Sequence, residues 1–386
     1  MICNNINFDF LKNTFREYYY KHSNCLYVPD PIRGREFGFR YFDNFVARHI
    51  SFGNIGELIA KLIKEPPSDV FCSNAYYKFP CYPIQEKQWE GADLIFDIDI
   101  KDLGANCMPN HSFYLCSVCG DCTQKNCLCT NCANEKTLHI YIPCNKCFEE
   151  IKKETSKLLD FLSFDIGINK KNIEVFFSGN AGYHIYINNS SYNRLDSKAR
   201  SDVVDYIMGN GMLLEALGIN RFKKEFFIKF PKGGLSLGWR KRLCIELGIS
   251  EKSIIKMKNL VTNKGGYQGF KREIDTLSKR LGVRIDPNVT TDVHRIFRLA
   301  GSINSKSGLS KIKCNNLESF NPLVDSCLLN EKEVYIKPKT NLKFCLKGNS
   351  FKLNNSIEKL PTYAAIYLIC KGLADLVLNE NLKGSF

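Results

Sequence analysis

The chain has 386 residues, 44% apolar and 24% charged, the composition of a folded globular protein with room for one large domain or two ordinary ones. Its formal charge of +14, from 54 Lys+Arg against 40 Asp+Glu, points to a polyanionic partner, nucleic acid first. Eighteen cysteines in a chain of this length suit reduced thiols and a zinc site better than the disulfide framework of a small secreted protein.

No run of about 18 apolar residues occurs, so no membrane span is expected. The N-terminal stretch places Asp9 and Glu17 among scattered aromatics and does not read as a signal peptide. Residues 8–22 predict an amphipathic helix rich in Phe and Tyr. Residues 35–39 and 46–50 read as short strands, and 54–64 as a helix closed by Pro66-Pro67.

Residues 93–100 are the most informative stretch. As a strand they put Leu94, Phe96, Ile98 and Ile100 on one apolar face, and Asp93, Ile95, Asp97 and Asp99 on the other. Strands disfavour aspartate, and neighbouring like charges repel, so something positive is required between Asp97 and Asp99. A divalent metal that also holds substrate phosphates is the most economical candidate. A bare D-x-D is equally explained by a strand end facing water or Lys/Arg partners.

Composition changes abruptly over 104–147, where nine cysteines and two histidines cluster. Cys116-x2-Cys119 followed by Cys129-x2-Cys132 has the spacing of two knuckles around tetrahedral zinc. Cys107, His111, Cys144 and Cys147 are alternative or additional ligands. The signal is specific for a metal and says little about function.

Residues 149–164 are helical by periodicity. A hairpin follows, with strands at 174–177 and 183–187 around the turn Ser178-Gly179-Asn180-Ala181-Gly182. His184 and Tyr186 share one face. Such a turn can offer backbone N–H groups to a phosphate, or be ordinary turn chemistry beside a packed histidine. Residues 197–217 and 251–281 look mainly helical, with a break around 263–269. Between them Arg221, Lys223, Lys224, Lys229, Lys232, Arg240, Lys241 and Arg242 interleave with Phe226, Phe227, Phe230 and Trp239. This mix suits a nucleic-acid groove, and equally a solvated surface over a small core.

Asp286 follows the apolar alternation of Val283 and Ile285 and precedes Pro287, which predicts a strand end. Asp292 lies beside the expected start of a short helix ended by Gly301, where capping explains a carboxylate. Arg295 and Arg298 would project from one side of that helix. Residues 361–378 read as an apolar helix. No internal repeat and no Walker-type phosphate loop is found.

Taken in order, Arg35-Glu36-Phe37 with Arg48, Asp97-Ile98-Asp99, the cysteine-rich insert, Ser178-Gly179-x-x-Gly182-x-His184, Asp286 leading to Arg298, and the C-terminal helix resemble the catalytic small subunit of archaeal and eukaryotic DNA primase. The resemblance spans nearly the whole chain, and the knuckle after the acidic strand is most similar to crenarchaeal members. It implies an α+β catalytic core over 1–386, with a zinc-binding insert at 104–148 and a mainly helical, basic insertion at 195–282.

The implied activity is template-directed RNA primer synthesis from NTPs by a DNA-directed nucleotidyltransferase. Asp97, Asp99 and Asp286 would hold two Mg²⁺ or Mn²⁺. Ser178, Gly179 and His184 would contact the triphosphate, Arg48 and Arg298 would neutralise it, and Glu36 would lie close by. Zinc at Cys116, Cys119, Cys129 and Cys132 would be structural. The implied partners are a primase large subunit in a heterodimer, single-stranded DNA template and NTPs, with no membrane. The implied location is the archaeal cytoplasm at the nucleoid, or the nucleus in a eukaryote.

Two departures stand out. Ala181 occupies a position where many relatives have arginine, and Asn304 one where histidine is common. A missing phosphate contact would then come from Lys306 or the basic segment, with lower nucleotide affinity or a specialised paralogue as the alternatives. Two other functions compete. A primase-polymerase for repair or mobile elements usually carries fused helicase, ligase or nuclease domains, for which this chain has no room. A non-catalytic, zinc-containing nucleic-acid-binding protein would explain the charge and cysteines but not three separated carboxylates beside phosphate-binding residues. Metal-dependent dinucleotide formation on single-stranded template discriminates among them.

Overall fold

A computed structural model describes residues 5–104, 107–123, 128–134, 137–188, 190–222, 225–229, 238–249 and 253–378. Helices and several antiparallel sheets alternate along the chain, so the class is α+β as expected. Helix α1 (Asn5–Lys21) buries Leu11, Phe15, Tyr18 and Tyr19. Strands β1 (Arg35–Arg40) and β2 (Val46–Ile50) form an antiparallel pair. Helix α2 (Ile55–Lys64) packs on α1. It opens with a reciprocal cap: Glu57 N donates to Asn54 Oδ1 at 3.1 Å, and Gly53 N to Glu57 Oε2 at 2.8 Å. Strands β3 (Asp69–Tyr77) and β4 (Trp89–Ala92) complete this side of the first sheet.

Strand β5 (Leu94–Asp99) carries the acidic stretch. It stops one residue earlier than its alternation suggests. Asp99 accepts from Lys101 N and so caps a short helix, α3 (Ile100–Leu103), which takes Ile100 out of the strand. The insert follows as a three-stranded sheet of β6 (Ser112–Cys116), β7 (Cys122–Thr123) and β8 (Thr137–Tyr141), with β6 central. Helix α4 (Asn145–Asp160) then returns to the core, packing on α3, β5 and β10 (Gly182–Ile187), the partner of β9 (Ile173–Phe177). Cys147, Ile151 and Leu158 of α4 are fully buried.

A short helix α5 (Ser190–Asn193) precedes the insertion expected at 195–282, which contains α6 (Ser197–Met208), α7 (Gly238–Glu246), α8 (Ile254–Asn263) and α9 (Gly266–Leu281). The insertion also contains a hairpin, β11 (Ile219–Phe222) with β12 (Glu225–Ile228), in the segment read as a basic groove. Lys223, Lys224, Phe230 and Lys232 lie outside the described residues.

Beyond it, α10 (Pro287–Thr291) is followed by β13 (Ile296–Arg298), not by the expected helix through Arg298. β13 adds to the edge of β3, pairing Phe297 with Cys72 and Arg298 with Phe71. Arg298 ends β13 and Arg295 lies just before it, so the single helix side expected for the pair does not form. β14 (Ile312–Lys313) joins β9, giving a second sheet in the order β14-β9-β10-β5. The remaining elements are α11 (Pro322–Asp325), β15 (Glu333–Pro338), β16 (Leu342–Leu346), β17 (Asn349–Leu353), β18 (Glu358–Pro361), α12 (Thr362–Cys370) and β19 (Ala374–Val377). The C-terminal apolar stretch is thus helix only to Cys370. Gly372, at φ 73°, turns the chain, and Leu376 lies on a strand paired with β15.

Candidate active site

The acid face of β5 meets β10 in register, with His184 opposite Asp97 and Gly182 opposite Asp99. A Cβ on Gly182 would lie 2.4 Å from Ile98 O, so only glycine lets the turn approach the acidic strand this closely. Asp286 arrives from the far side, its N–H donating to Asp97 O at 3.1 Å. The two regions that carry the acidic residues are therefore brought together.

Asp286 is not a strand end but the N-cap of α10, accepting from Asn288 N at 3.0 Å, while Asp292 accepts from His294 N at 2.9 Å in the next turn. Proline at the first helical position turns the chain there and makes Asp286 the cap.

Ile95, on the same face of β5 as Asp97, belongs to a small buried apolar cluster with Phe176, Tyr186, Val289 and Phe297. Burial pushes the Asp97 carboxyl up to about 7, and Asp99 and Asp286 push the same way. Asp99 is raised as well, by burial first, although Lys101 N donates to it at 3.1 Å. Among the described residues, no Lys or Arg makes an ion pair with any of the three; the nearest basic side chain to Asp97 is His184, Nε2 to Oδ1 3.4 Å. Burial and the cations Lys311, Arg298 and Arg295 hold that imidazole well below its ordinary value, so it is neutral. Three carboxylates near enough to act on one another, with no Lys or Arg ion pair among the described residues, suit hard divalent cations such as Mg²⁺ or Mn²⁺.

Beneath His184 lies a residue the sequence did not single out. Lys311 is fully buried, with Nζ 3.0 Å from His184 Nδ1, 2.8 Å from Tyr186 Oη and 2.8 Å from Arg298 O. Burial, with Arg298 adding to it, pulls the ammonium down to about 7. When Lys311 donates to Nδ1, the ring proton sits on Nε2, which faces Asp97. A lysine between Ser310 and Ile312 has no local sign of burial; its three polar neighbours come from β10 and β13.

The turn after β9 is closed by Ser178 N donating to Gly182 O at 2.9 Å, with Gly179 at φ 82°. Asn304, one of the two departures, fastens it by donating Nδ2 to Ser178 O at 3.3 Å, while Ser307 Oγ donates to Gly179 O. Ala181 is buried in the main core and brings no cation. Exposed Lys306 lies near enough to Asp99 to favour its charged form. Lys306 also lines an open groove of about 590 Å³ with Asn180 and Lys371, facing Leu115, His139 and Tyr141 of the insert.

Two expected phosphate ligands are engaged within the protein. Arg298 pairs with Asp69 at 2.7 Å and donates to Ile303 O at 2.8 Å. Against the upward pull of burial, Arg298 and Ser305 hold the Asp69 carboxyl below its ordinary value. Arg48, partly exposed, pairs with Glu36 at 3.0 Å. Glu36 is buried and also pairs with Lys87 at 2.7 Å, and these cations hold it ionised despite its burial. In the basic segment, Trp239 is buried with Nε1 donating to Tyr206 O at 2.7 Å, and Arg242 stacks over Phe161 and pairs with Asp165 at 2.9 Å. Those two belong to a local core. Lys87 and Asp69, like Lys311, carried no sequence signal, because each is defined by a distant partner.

Seven cysteines of the insert and His111 fall into two groups, in each of which the candidate ligand atoms all lie within 4.8 Å of one another. Cys116, Cys119, Cys129 and Cys132 form the expected set, with sulfurs 3.5 Å apart for Cys116–Cys132 and 3.4 Å for Cys119–Cys129. Ligands of a tetrahedral zinc–thiolate site stand about 3.8 Å apart, so the set fits zinc. Cys107, His111, Cys144 and Cys147 form a separate group. Cys127 lies outside the described residues.

Residues 139–313 match the family model of the DNA primase small subunit, a stretch that includes His184, Asp286 and Lys311 but begins after Asp97 and Asp99. The chain is 41% identical to the DNA primase small subunit PriS of Nitrosopumilus maritimus (strain SCM1), over 97% of this chain and 100% of that protein. It is 38% identical to PriS of Cenarchaeum symbiosum (strain A), over 94% of this chain and 97% of that one, and 32% identical to PriS of Archaeoglobus fulgidus, with the same shares covered. The chain belongs to the DNA primase small subunit family.

Proposed function

We propose that the chain is the catalytic subunit that synthesises RNA primers from NTPs on single-stranded DNA, by nucleotidyl transfer at Asp97, Asp99 and Asp286. The observation that carries this reading is the gathering of three carboxylates, one raised to about 7, with no Lys or Arg partner among the described residues. When bound there, two divalent cations supply charge stabilisation to the attacking 3′-oxygen and to the departing pyrophosphate. The protein's part is to hold oxygen ligands, orient the triphosphate and exclude alternatives. Backbone N–H groups of the Ser178–Gly182 turn would be donors to the triphosphate, and His184, whose Nε2 lies 3.4 Å from Asp97, would border it beside the carboxylates. Lys306 supplies the cation that Ala181 does not, and Asn304 holds the turn in place. Arg298 acts at one remove, by fixing Lys311 and thus His184. The +14 charge favours the template, and the family resemblance supports a large-subunit partner and an archaeal cytoplasmic setting beside the nucleoid. No described helix is long and apolar enough to cross a membrane.

The test is direct. Purified protein with Mn²⁺, NTPs and an unprimed single-stranded template is expected to form dinucleotides and longer RNA. No product with either Mg²⁺ or Mn²⁺, alone or with a large subunit, would refute the assignment.

A further inference from the structure

The two cysteine groups stand in different relations to the carboxylates. The outer one, Cys116 to Cys132, closes on itself. Its ligands come from the end of β6 and from the loops after it, and its turns repeat one pattern: Gly120 N donates to Cys116 O at 3.1 Å, and Ala133 N to Cys129 O at 2.8 Å. Cys119 and Cys132 are exposed. A metal there orders the tip of the insert.

The inner group sits at the insert's root. Cys107 follows Asp99 by eight residues, beyond α3, while Cys144 is the N-cap of α4 and Cys147 lies in its first turn. The sulfurs of Cys107 and Cys147 are 3.1 Å apart, those of Cys144 and Cys147 3.6 Å, and His111 completes the set. Tyr141 Oη donates to Cys147 Sγ at 2.7 Å, the kind of outer hydrogen bond that orients a metal ligand. Three thiols and an imidazole, half-buried at a helix N-terminus that favours thiolate, fit tetrahedral zinc.

Helix α4 is the common support of the three aspartates. It packs on β5, which carries Asp97 and Asp99, and on α3, which Asp99 caps. Its Glu154 accepts from Arg284 N at 2.7 Å, and Arg284 Nη1 donates to Leu103 O, the last residue of α3, at 2.6 Å. Arg284 stands two residues before Asp286. The chain leaving Asp99, the chain reaching Asp286 and the helix beneath both are therefore hydrogen-bonded together, and the inner group ties the first of these to the start of that helix.

We infer that the chain holds two structural zinc ions at once, and that the inner one, at Cys107, His111, Cys144 and Cys147, positions the carboxylates while the outer one does not. The inference rests on the proposed role of the aspartates as cation ligands, and its readouts are chosen to be independent of primer synthesis. Elemental analysis of the full chain, purified without chelator, should find about two zinc per molecule. The double variants Cys107→Ser/Cys144→Ser and Cys116→Ser/Cys119→Ser should each lose about one. Mn²⁺ binding followed by electron paramagnetic resonance, without nucleotide, should weaken about tenfold in the inner variant and stay within about twofold in the outer one. His111→Cys, which keeps the number of ligands, should retain both zinc and Mn²⁺ affinity. Cobalt-substituted unmutated protein needs no variant to fold, and its absorption should show one four-sulfur and one three-sulfur, one-nitrogen site. One zinc per chain, a cobalt spectrum of a single four-sulfur site, or a folded inner variant with unchanged Mn²⁺ affinity would overturn it. If Mn²⁺ binds as expected while no primers form, the failure lies with the primase reading and not with this one.

Discussion

The acidic strand and the cysteine insert are neighbours in the chain and are held together by opposite means. Strand β5 rests on packing: Leu94, Phe96 and Ile98 are buried, and α4 backs them with Ile151 and Leu158. Part of that stability is offset by Asp97 and Asp99, two like charges in a site that also desolvates them. The insert buries a short row, including Phe113, Leu115, Ile140 and Ile142, and gathers eight candidate ligands. In the first region the polar groups strain a stable core for the sake of chemistry; in the second they supply the cohesion. Removing them should therefore have opposite effects on folding.

The largest effect is expected for Asp97→Asn/Asp99→Asn. Primer synthesis should fall roughly a thousandfold or more, equivalent to about 4 kcal/mol of transition-state stabilisation. Neutralising buried like charges should leave the Tm at neutral pH unchanged or raised, which calorimetry reads beside the activity. A marked loss of Tm would end the contrast between the two regions. Next, Asp286→Asn should lower synthesis about a hundredfold while costing less than about 0.5 kcal/mol, since Asn caps a helix as well as Asp. Asp292→Asn should keep most activity, and the reverse ranking would move the third carboxylate to Asp292.

The insert should behave the other way. In Cys116→Ser/Cys119→Ser, limited proteolysis should cleave within 104–148 well before the rest, with core unfolding in denaturant shifted by less than about 1 kcal/mol. Global unfolding of this variant would mean that the outer group supports the core as well.

A pH-dependent effect with no loss of activity attached concerns Lys311, faced by His184 and Tyr186 from β10, Arg298 from β13, Asp97 from β5 and Cys72 from β3. Its folded value of about 7 lies below the ordinary 10.5, so between these the unfolded chain binds a proton that the folded one does not. Stability from this group must then rise with pH across that window. Chemical denaturation between about pH 7 and 8.5 should show the unmutated protein gaining up to about 1.4 kcal/mol per pH unit relative to Lys311→Met. Parallel curves would show that Lys311 stays charged in the fold.

Much of this was legible along the chain. The alternation of 93–99, the two knuckle spacings and the hairpin around Ser178–Gly182 are local patterns, with every determinant within a few residues. Arg295 to Arg298 failed for a physical reason: three residues are too few for periodicity to separate helix from strand, and the edge of β3 decided the matter. Asp286 is a helix N-cap and not a strand end, because Pro287 starts a helix there and no pattern in Val283 to Ile285 announces it.

By itself, the sequence determined that two aspartates share one strand face, that cysteines pair at metal-binding intervals and that the chain is basic. These follow from residue spacing and composition, which folding does not alter. Only the tertiary structure decided how the remaining charges are used. Arg298 is held by Asp69, Glu36 by Lys87 and Arg48, and Lys311 lies buried beneath His184. It also divided the cysteines into two groups, joining Cys107 to Cys144 and Cys147 across the whole insert. A charge or a thiol is defined by its nearest partner, and for each of these residues that partner is brought close only by the packing of separate strands and helices.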